Sequence, residues 1–332
     1  MAKLPTVPQG EKPKEKYQLQ NWSAYNKGLV KRGSLTLWVD EGLIEKWRHQ
    51  GEPKRGGQFR YSDECIRVLL TLKVVLHLPF RQLEGLAVSL FKLMKLGLEV
   101  PSYTQICRRQ KGLKVPLTFG KQPKAGEGIH LVADSSGLKI FGECEWKVRK
   151  HGWSKRRTWR KIHLGINEAS GEVTAQVLTE NDVDDASILP ELLGQTVENG
   201  LQIDKVGADG AYDTFAIWDL LEEAGIEAII PPRENAVYRL TDDGNVDDHP
   251  RNRVLEIIDE GGVETNRAGW KKQSGYHRRS LSETAFFRWK TIFGEKMYAR
   301  KFHNQATEAA VKSAVLNRFI QLAKPNSVKK AA

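Results

Sequence analysis

Cysteine is scarce in this 332-residue chain: there are three, Cys65, Cys107 and Cys144, and no two form a CxxC pair. An odd, widely spaced set supports neither a disulfide framework nor a cysteine zinc site, and it fits a reducing cytoplasm. Long apolar runs are missing too. The most apolar stretch, CIRVLLTLKVVLHLPF, is broken by Arg67, Lys73 and His77, and the N-terminus MAKLPTVPQGEKPKEKY has no apolar h-region. Neither a membrane span nor a signal peptide is expected. No internal repeat is found. What remains, 40% hydrophobic and 28% charged residues, is the composition of a soluble globular protein long enough for two domains.

Positive charge is in excess, and it is unevenly placed. The net charge is +11, with 21 Lys+Arg against 10 Asp+Glu in residues 1–120 and 31 of each in residues 121–332. A basic module joined to a neutral one points to a grip on a polyanion, nucleic acid above all, with a different task for the second part. Solubility charge is the bland alternative.

Residues 1–33 are polar, Lys-rich and proline-bearing, and read as a flexible basic leader. Residues 34–125 read as helical. TLWVDEGLIEKWRHQ places Leu37, Trp38, Leu43, Ile44 and Trp47 near one face, a helix starts near Ser62, and Pro79 interrupts it. PSYTQICRRQKG then reads as a turn and a short basic helix capped by Ser102. The last two helices are spaced like a helix-turn-helix, which would turn Arg108, Arg109 and Lys111 towards DNA. The Gly-, Lys- and Pro-rich TFGKQPKAGEGIH marks a boundary near residue 125.

Beyond it lie a buried strand (HLVADSSGLKIFG), a hairpin turning at Glu168–Gly171, a helix capped around Asp184, a strand (KVGADG), a helix with Asp213 as N-cap, a strand (EAIIPP) and a final helix. This succession predicts an α/β layer of ribonuclease-H-like type, a mixed sheet flanked by helices, behind an all-α DNA-binding region. Residues 235–275 have no clear fold and read as an acidic insertion; 326–332 form a basic tail.

Two acids stand where valine would be unremarkable: Asp134 inside HLVADSS and Asp209 at the end of KVGADG. A carboxylate beside a buried apolar run needs a compensating cation, although Asp-Ser and Asp-Gly are also ordinary turn dipeptides. Near the C-terminus, SLSE can be a capping box with Ser280 at N-cap and Glu283 at N3. If the helix instead begins near Tyr276, about 100° per residue puts Tyr276, Arg279, Glu283 and Lys290 within roughly 60° of one another. Leu281, Ala285 and Ile292 then face the sheet, and Phe287 falls out of place beside the polar stripe. Lys290 lies about 10 Å along the axis from Glu283, a spacing suited to successive phosphates.

Tyr276, Arg279, Glu283 and Lys290 match without a gap the Tyr-Arg-Glu-Lys signature of bacterial insertion-sequence transposases. With VADSSGLKIFG, RRTWRKIHLGI, DDASILPELL, ADGAYD, IIPPR and SGYHRRSLSETAFFRWK in this order, most of residues 60–325 resembles the insertion sequence five family of DDE transposases. The resemblance implies a catalytic, metal-binding triad of Asp134, Asp209 and Glu283 in residues 126–325. Hard oxygen ligands with no His or Cys beside them select two Mg2+ ions, with Mn2+ as substitute. It further implies DNA cleavage followed by strand transfer, with Tyr276, Arg279 and Lys290 on phosphates. The expected partner is double-stranded DNA, both terminal inverted repeats and target, held by a homo-oligomer, a dimer in the synaptic complex. The run EWKVRKHGWSKRRTWRKIH holds eight Lys+Arg and three Trp. It offers Arg156, Arg157, Arg160 and Lys161 as phosphate contacts and Trp153 as a base stacker; Trp270 is a second stacking candidate. The rival readings are a magnesium nuclease or resolvase without strand transfer, and a DNA-binding derivative without catalysis.

Overall fold

The computed structural model describes residues 17–329 except 40, 53–54, 121–125, 141–158 and 260–265. A short strand β1 (Tyr17–Leu19) leads into α1 (Trp22–Arg32), a brief α2 (Glu41–Glu45), then α3 (Asp63–Val75), α4 (Phe80–Leu93) and α5 (Tyr103–Arg109). Local signals set the last three. Ser62 Oγ accepts from the Cys65 amide at 3.0 Å to start α3, and His77, at φ 53°, ends the run ahead of the Pro79 N-cap of α4. Ser102 and Gln105 make a reciprocal capping box at α5. The single face expected around residues 35–49 is broken into a 3-10 turn and α2, though Leu43 and Trp47 are buried as anticipated.

The sheet follows. β2 (Ile129–Ile140), β3 (Trp159–Asn167) and β4 (Val173–Glu180) form an antiparallel meander, while β5 (Ile203–Gly207) and β6 (Glu227–Ile229) run parallel to β2. The order β4-β3-β2-β5-β6 with these directions is that of a ribonuclease-H-like fold. The hairpin turns where expected, with Asn167 Oδ1 accepting from Ala169 N and Gly171 at φ 75°. β3 covers one edge of β2 as far as Lys139. On the other edge β5 pairs only with Ile129–Val132, and β7 (Lys296–Met297) pairs with Lys139–Ile140. Among the described residues the stretch 133–138 therefore has no strand beside it on that edge, and the sheet is notched there.

Helices α6 (Leu189–Glu198) and α7 (Phe215–Glu223) cover one face of the sheet around Leu131, Leu189, Leu192, Tyr212, Trp218 and Leu221. The connection after β6 carries α8 (Pro250–Asp259) and α9 (Arg267–Gln273), so residues 235–275, to which the sequence assigned no clear fold, contain two helices in their described part. The other face receives α10 (Ser280–Phe293) and the 21-residue α11 (Phe302–Leu322). Its core is continuous with the N-terminal helices: Trp47, Leu69, Leu83 and Ile106 belong to one apolar cluster with Leu138, Ile162, Trp289 and Val315. Each such fully buried side chain contributes roughly 1.5–3 kcal/mol, so the helical region and the sheet stabilise one another.

Residues 17–33 also depart from the flexible leader. α1 lies against α11, where Arg32 Nη2 donates to the carbonyls of Phe319 and Ala323 at 3.1 and 3.2 Å. Gly28 sits so close that a Cβ would lie 2.3 Å from Leu322 O. β1 pairs with β8 (Ser327–Lys329), which sets residues 327–329 beside residues 17–19.

Candidate active site

Asp134 projects from β2 in the notched stretch. Its Oδ1 accepts from the Ser135 amide at 2.8 Å and its Oδ2 from Ser282 Oγ at 2.7 Å and Arg279 Nη1 at 3.0 Å. Burial pushes its pKa above the ordinary carboxylate range, the neighbouring charge of Asp209 adds to the rise, and Ser282, Ser135 and Arg279 counter it. Asp209 follows β5 as the cap of a 3-10 turn, its Oδ1 accepting from Ala211 N at 2.9 Å. Glu283 is two-thirds exposed in the first turn of α10 and pairs with Arg279 Nη2 at 3.3 Å.

Arg279 therefore bridges the acid of β2 and the acid of α10. Burial alone would lower its pKa, but Tyr276, Asp134, Asp209 and Glu283 together raise it, so it is firmly a cation. Tyr276, half-buried and with its pKa pushed up by burial, lies under two cations: Lys271 Nζ at 5.1 Å and the Arg279 guanidinium at 5.9 Å from the ring centre.

The local structure that delivers these side chains is not a capping box. Gly275 at φ 73° starts a 3-10 turn, Tyr276–Arg279, that runs directly into α10; Ser280 is helical and caps nothing. The buried side of α10 is Ser282, Ala285, Phe286, Trp289 and Phe293, rotated by roughly a quarter turn from the expected Leu281/Ala285/Ile292 face. That rotation carries Ser282 to Asp134 and leaves Phe287 70% exposed. Lys290 lies two turns beyond Glu283, partly exposed.

Asp185 is a fourth carboxylate here, and it is not the helix cap that its position suggests. It makes no cap bond; its Oδ2 accepts from Ser135 Oγ at 3.0 Å and its Oδ1 pairs with Lys161 Nζ at 2.7 Å, with His163 Nδ1 at 3.6 Å. Beneath it the wholly buried Tyr212 has its pKa driven up by burial and then by Asp185, Asp134, Asp209 and Asp184. Only the run of acids in NDVDDAS hinted at Asp185, and nothing adjacent to it in sequence marks Ser282 as a partner of Asp134. Asp213 likewise is not the cap of α7, a role taken by Thr214; it is fully buried and bound to Arg251, Arg233 N and Trp218 Nε1, which hold its pKa down against burial.

The other expected contacts are distributed differently. Arg160 is buried, donating to Gln305 Oε1 and paired with Glu180, and Lys161 is spent on Asp185 and Val183 O, so neither offers a free cation to DNA. Arg109 is held by Asp63, the Tyr61 carbonyl and the Phe59 ring. Arg108 and Lys111 are exposed. Trp270 is 5% exposed and packs 6.3 Å from Tyr276, which leaves its face unavailable for base stacking in this conformation. Trp153, Arg156 and Arg157 lie outside the described residues.

Among the described residues no three Asp, Glu, His or Cys side chains converge closely enough to hold an ion, since Arg279 stands between Asp134 and Glu283. The donor chemistry nevertheless fits a hard divalent cation. All the donors are carboxylate oxygens, and Asp134 beside Asp209 remains short of positive charge even with Arg279 in contact.

The notch in this ribonuclease-H-like sheet is flanked by Asp134 of β2, Asp209 just after β5 and Glu283 of α10, with Arg279 between the first and the last. Two family models described as the transposase DDE domain match the chain, one over residues 30–143 and one over 125–318. The second covers more than half of the sequence, and the chain belongs to the DDE transposases. Solved structures that it resembles include the piggyBac transposase synaptic complex with hairpin DNA, at TM-score 0.39 and 10% identity over 92% of this chain and 77% of that one. A Drosophila P element transposase strand transfer complex follows at TM-score 0.28 and 11% identity, covering 84% and 85% of the two chains. A pre-cleavage Mos1 transpososome stands at TM-score 0.22 and 11% identity, covering 74% and 83%. The fold assignment stands on the strand order and directions. No described helix is long and apolar enough to cross a membrane.

Proposed function

We propose that this DDE transposase belongs to the insertion sequence five group of bacterial elements, acts in the cytoplasm, binds the terminal inverted repeats of its element, and cuts and joins them to target DNA. The observation that carries the reading is Arg279 reaching 3.0 Å to Asp134 and 3.3 Å to Glu283, which ties the arginine and glutamate of the Tyr-Arg-Glu-Lys series to the first acid. Two divalent ions, Mg2+ or Mn2+, would be held by Asp134, Asp209 and Glu283 and would supply the charge that in-line displacement needs on the attacking and leaving oxygens.

The side chains have separable tasks in this scheme. Ser282 and the Ser135 amide fix the Asp134 carboxylate, so it need not reorganise when a phosphodiester arrives. Arg279, held cationic, exchanges a carboxylate partner for a phosphate oxygen and orients it. Tyr276 supports Arg279 from the side, and Lys290 meets a phosphate further along the same helix. Arg108 and Lys111 add backbone contacts from residues 34–125, and a pair of protomers holds both ends of the element.

The test combines the chain with Mg2+, a target plasmid and DNA carrying the sequences that flank its gene. Joined product is expected from the wild type. Asp134→Asn, Asp209→Asn and Glu283→Gln should each lower cleavage at least 100-fold while end binding persists. Cleaved ends without joined product would favour the nuclease reading.

A further inference from the structure

The geometry points to a second duplex-DNA contact, a basic groove between the α4–α5 corner and the loop that enters α11, which grips the DNA backbone well away from the scissile phosphate. This inference rests on the reading of the chain as an enzyme of duplex DNA. The groove encloses about 620 Å³ and is lined by Arg81, Arg108, Arg300 and Lys301, with Tyr103 and Asn304 between them. All four cations are exposed, and among the described residues none has a carboxylate at ion-pair distance; Arg81 only stacks, 4.9 Å over the Tyr103 ring. Among the described residues no acid lines the groove. Solubility charge would more commonly be interspersed with acids, whereas four unpaired cations around one concavity are complementary to phosphates.

Buried polar side chains hold both walls. Glu308, 7% exposed, accepts from the amides of Tyr298 and Ala299 at 3.0 and 2.9 Å, and Gln305, wholly buried, donates to Ala299 O at 2.9 Å. Lys312 pairs with Glu308 at 2.8 Å and donates to Lys296 O. Together they fix the loop that presents Arg300 and Lys301. On the opposite wall Thr307 Oγ1 donates to Gln110 O at 2.8 Å, which locks the end of α5, and hence Arg108, to the same helix. Polar groups are costly to bury, and these stabilise the conformation of an exposed basic loop.

The placement suits a duplex that enters the notch. β7, just before the loop, pairs with Lys139–Ile140, six residues along β2 from Asp134. At about 3.3 Å per residue that is roughly 20 Å, or about six base pairs of DNA at 3.4 Å each. The groove lies past β7, and in this inference one duplex runs from the notch into it.

The experiment measures binding of the full chain to a labelled 30-base-pair duplex across a KCl series (duplex length chosen as about three turns). Each phosphate contact contributes about 0.9 to the slope of log K against log salt. Arg300→Ala/Lys301→Ala should reduce the slope by about two and weaken low-salt binding about tenfold, and Arg108→Ala should reduce it by about one, with unchanged unfolding midpoints. Arg253→Ala, on α8 and already paired with Asp248, serves as the control with an unaltered slope. Wild-type binding with wild-type slopes in the groove variants overturns the groove alone. A slope change confined to single-stranded DNA overturns the duplex assignment, and a wild type that binds no DNA overturns both this inference and the proposed function.

Discussion

The carboxylate of Asp134 accepts three hydrogen bonds, and its pKa is nevertheless raised by burial and by Asp209. A folded-state pKa above the unfolded value means that ionisation opposes folding: the cost is absent below about pH 4 and complete above the folded pKa. Asp134→Asn should therefore raise the unfolding midpoint at neutral pH, by roughly 2–4 °C for each kcal/mol recovered, and change little near pH 3. Calorimetry at the two pH values checks this; equal midpoints at neutral pH would mean that the site already balances the charge. Ser282→Ala removes the foremost hydrogen bond opposing that rise, so the acid limb of the cleavage rate should move to higher pH, read from a rate–pH profile. Asp185 reaches the same strand through Ser135. Asp185→Ala should cost about 10–100-fold in cleavage through misplacement of Asp134, Asp185→Asn less, with DNA affinity unaltered in both. These contacts were poorly legible in the sequence. Asp-Asp before a helix reads as a cap, and a serine beside a glutamate reads as nothing, because both partners come from strands far away in the chain.

At the scale of one element, the entry to α10 decides which residues meet. Gly275 at φ 73° has open space around its missing Cβ, so Gly275→Ala meets no clash and costs only backbone strain, about 1–2 kcal/mol. The strain falls on the turn carrying Tyr276 and Arg279; cleavage should drop further than stability accounts for, which parallel measurement of rate and midpoint distinguishes. The spacing of Tyr276, Arg279, Glu283 and Lys290 was readable because a helical period survives a tight first turn approximately. The orientation of the buried face was not, since a polar residue, Ser282, lies within it and is buried by its bond to Asp134 on a distant strand. The strands and their order were legible from alternation and turn residues, whereas the helices within 235–275 lay in a stretch whose acidic, polar sequence hides its apolar positions, Leu255 and Trp270.

For the whole molecule, one apolar cluster joins α3–α5 to α10, α11 and one face of the sheet, and a single cooperative unfolding transition is expected of them. Trp47, 1% exposed, packs edge-on against Phe91 and donates to Glu99 O at 2.8 Å. Trp47→Ala should cost about 3–5 kcal/mol and lower a single unfolding transition followed by fluorescence and by loss of cleavage alike. Two separated transitions would show that the helical region unfolds by itself. Sequence composition divided the chain by charge, but charge lives on surfaces, and the shared interior was invisible to it.

The notch in β2 has one more consequence. An unpaired strand edge ordinarily recruits a strand from another chain and seeds aggregation. Here, among the described residues, the gap spans residues 133–138, is closed at both ends by β5 and β7, and is occupied by Asp134 with Arg279 set across it. A foreign strand would have to desolvate that charged pair to dock, so the opening proposed for a phosphodiester would also be a safeguard against self-association through the sheet.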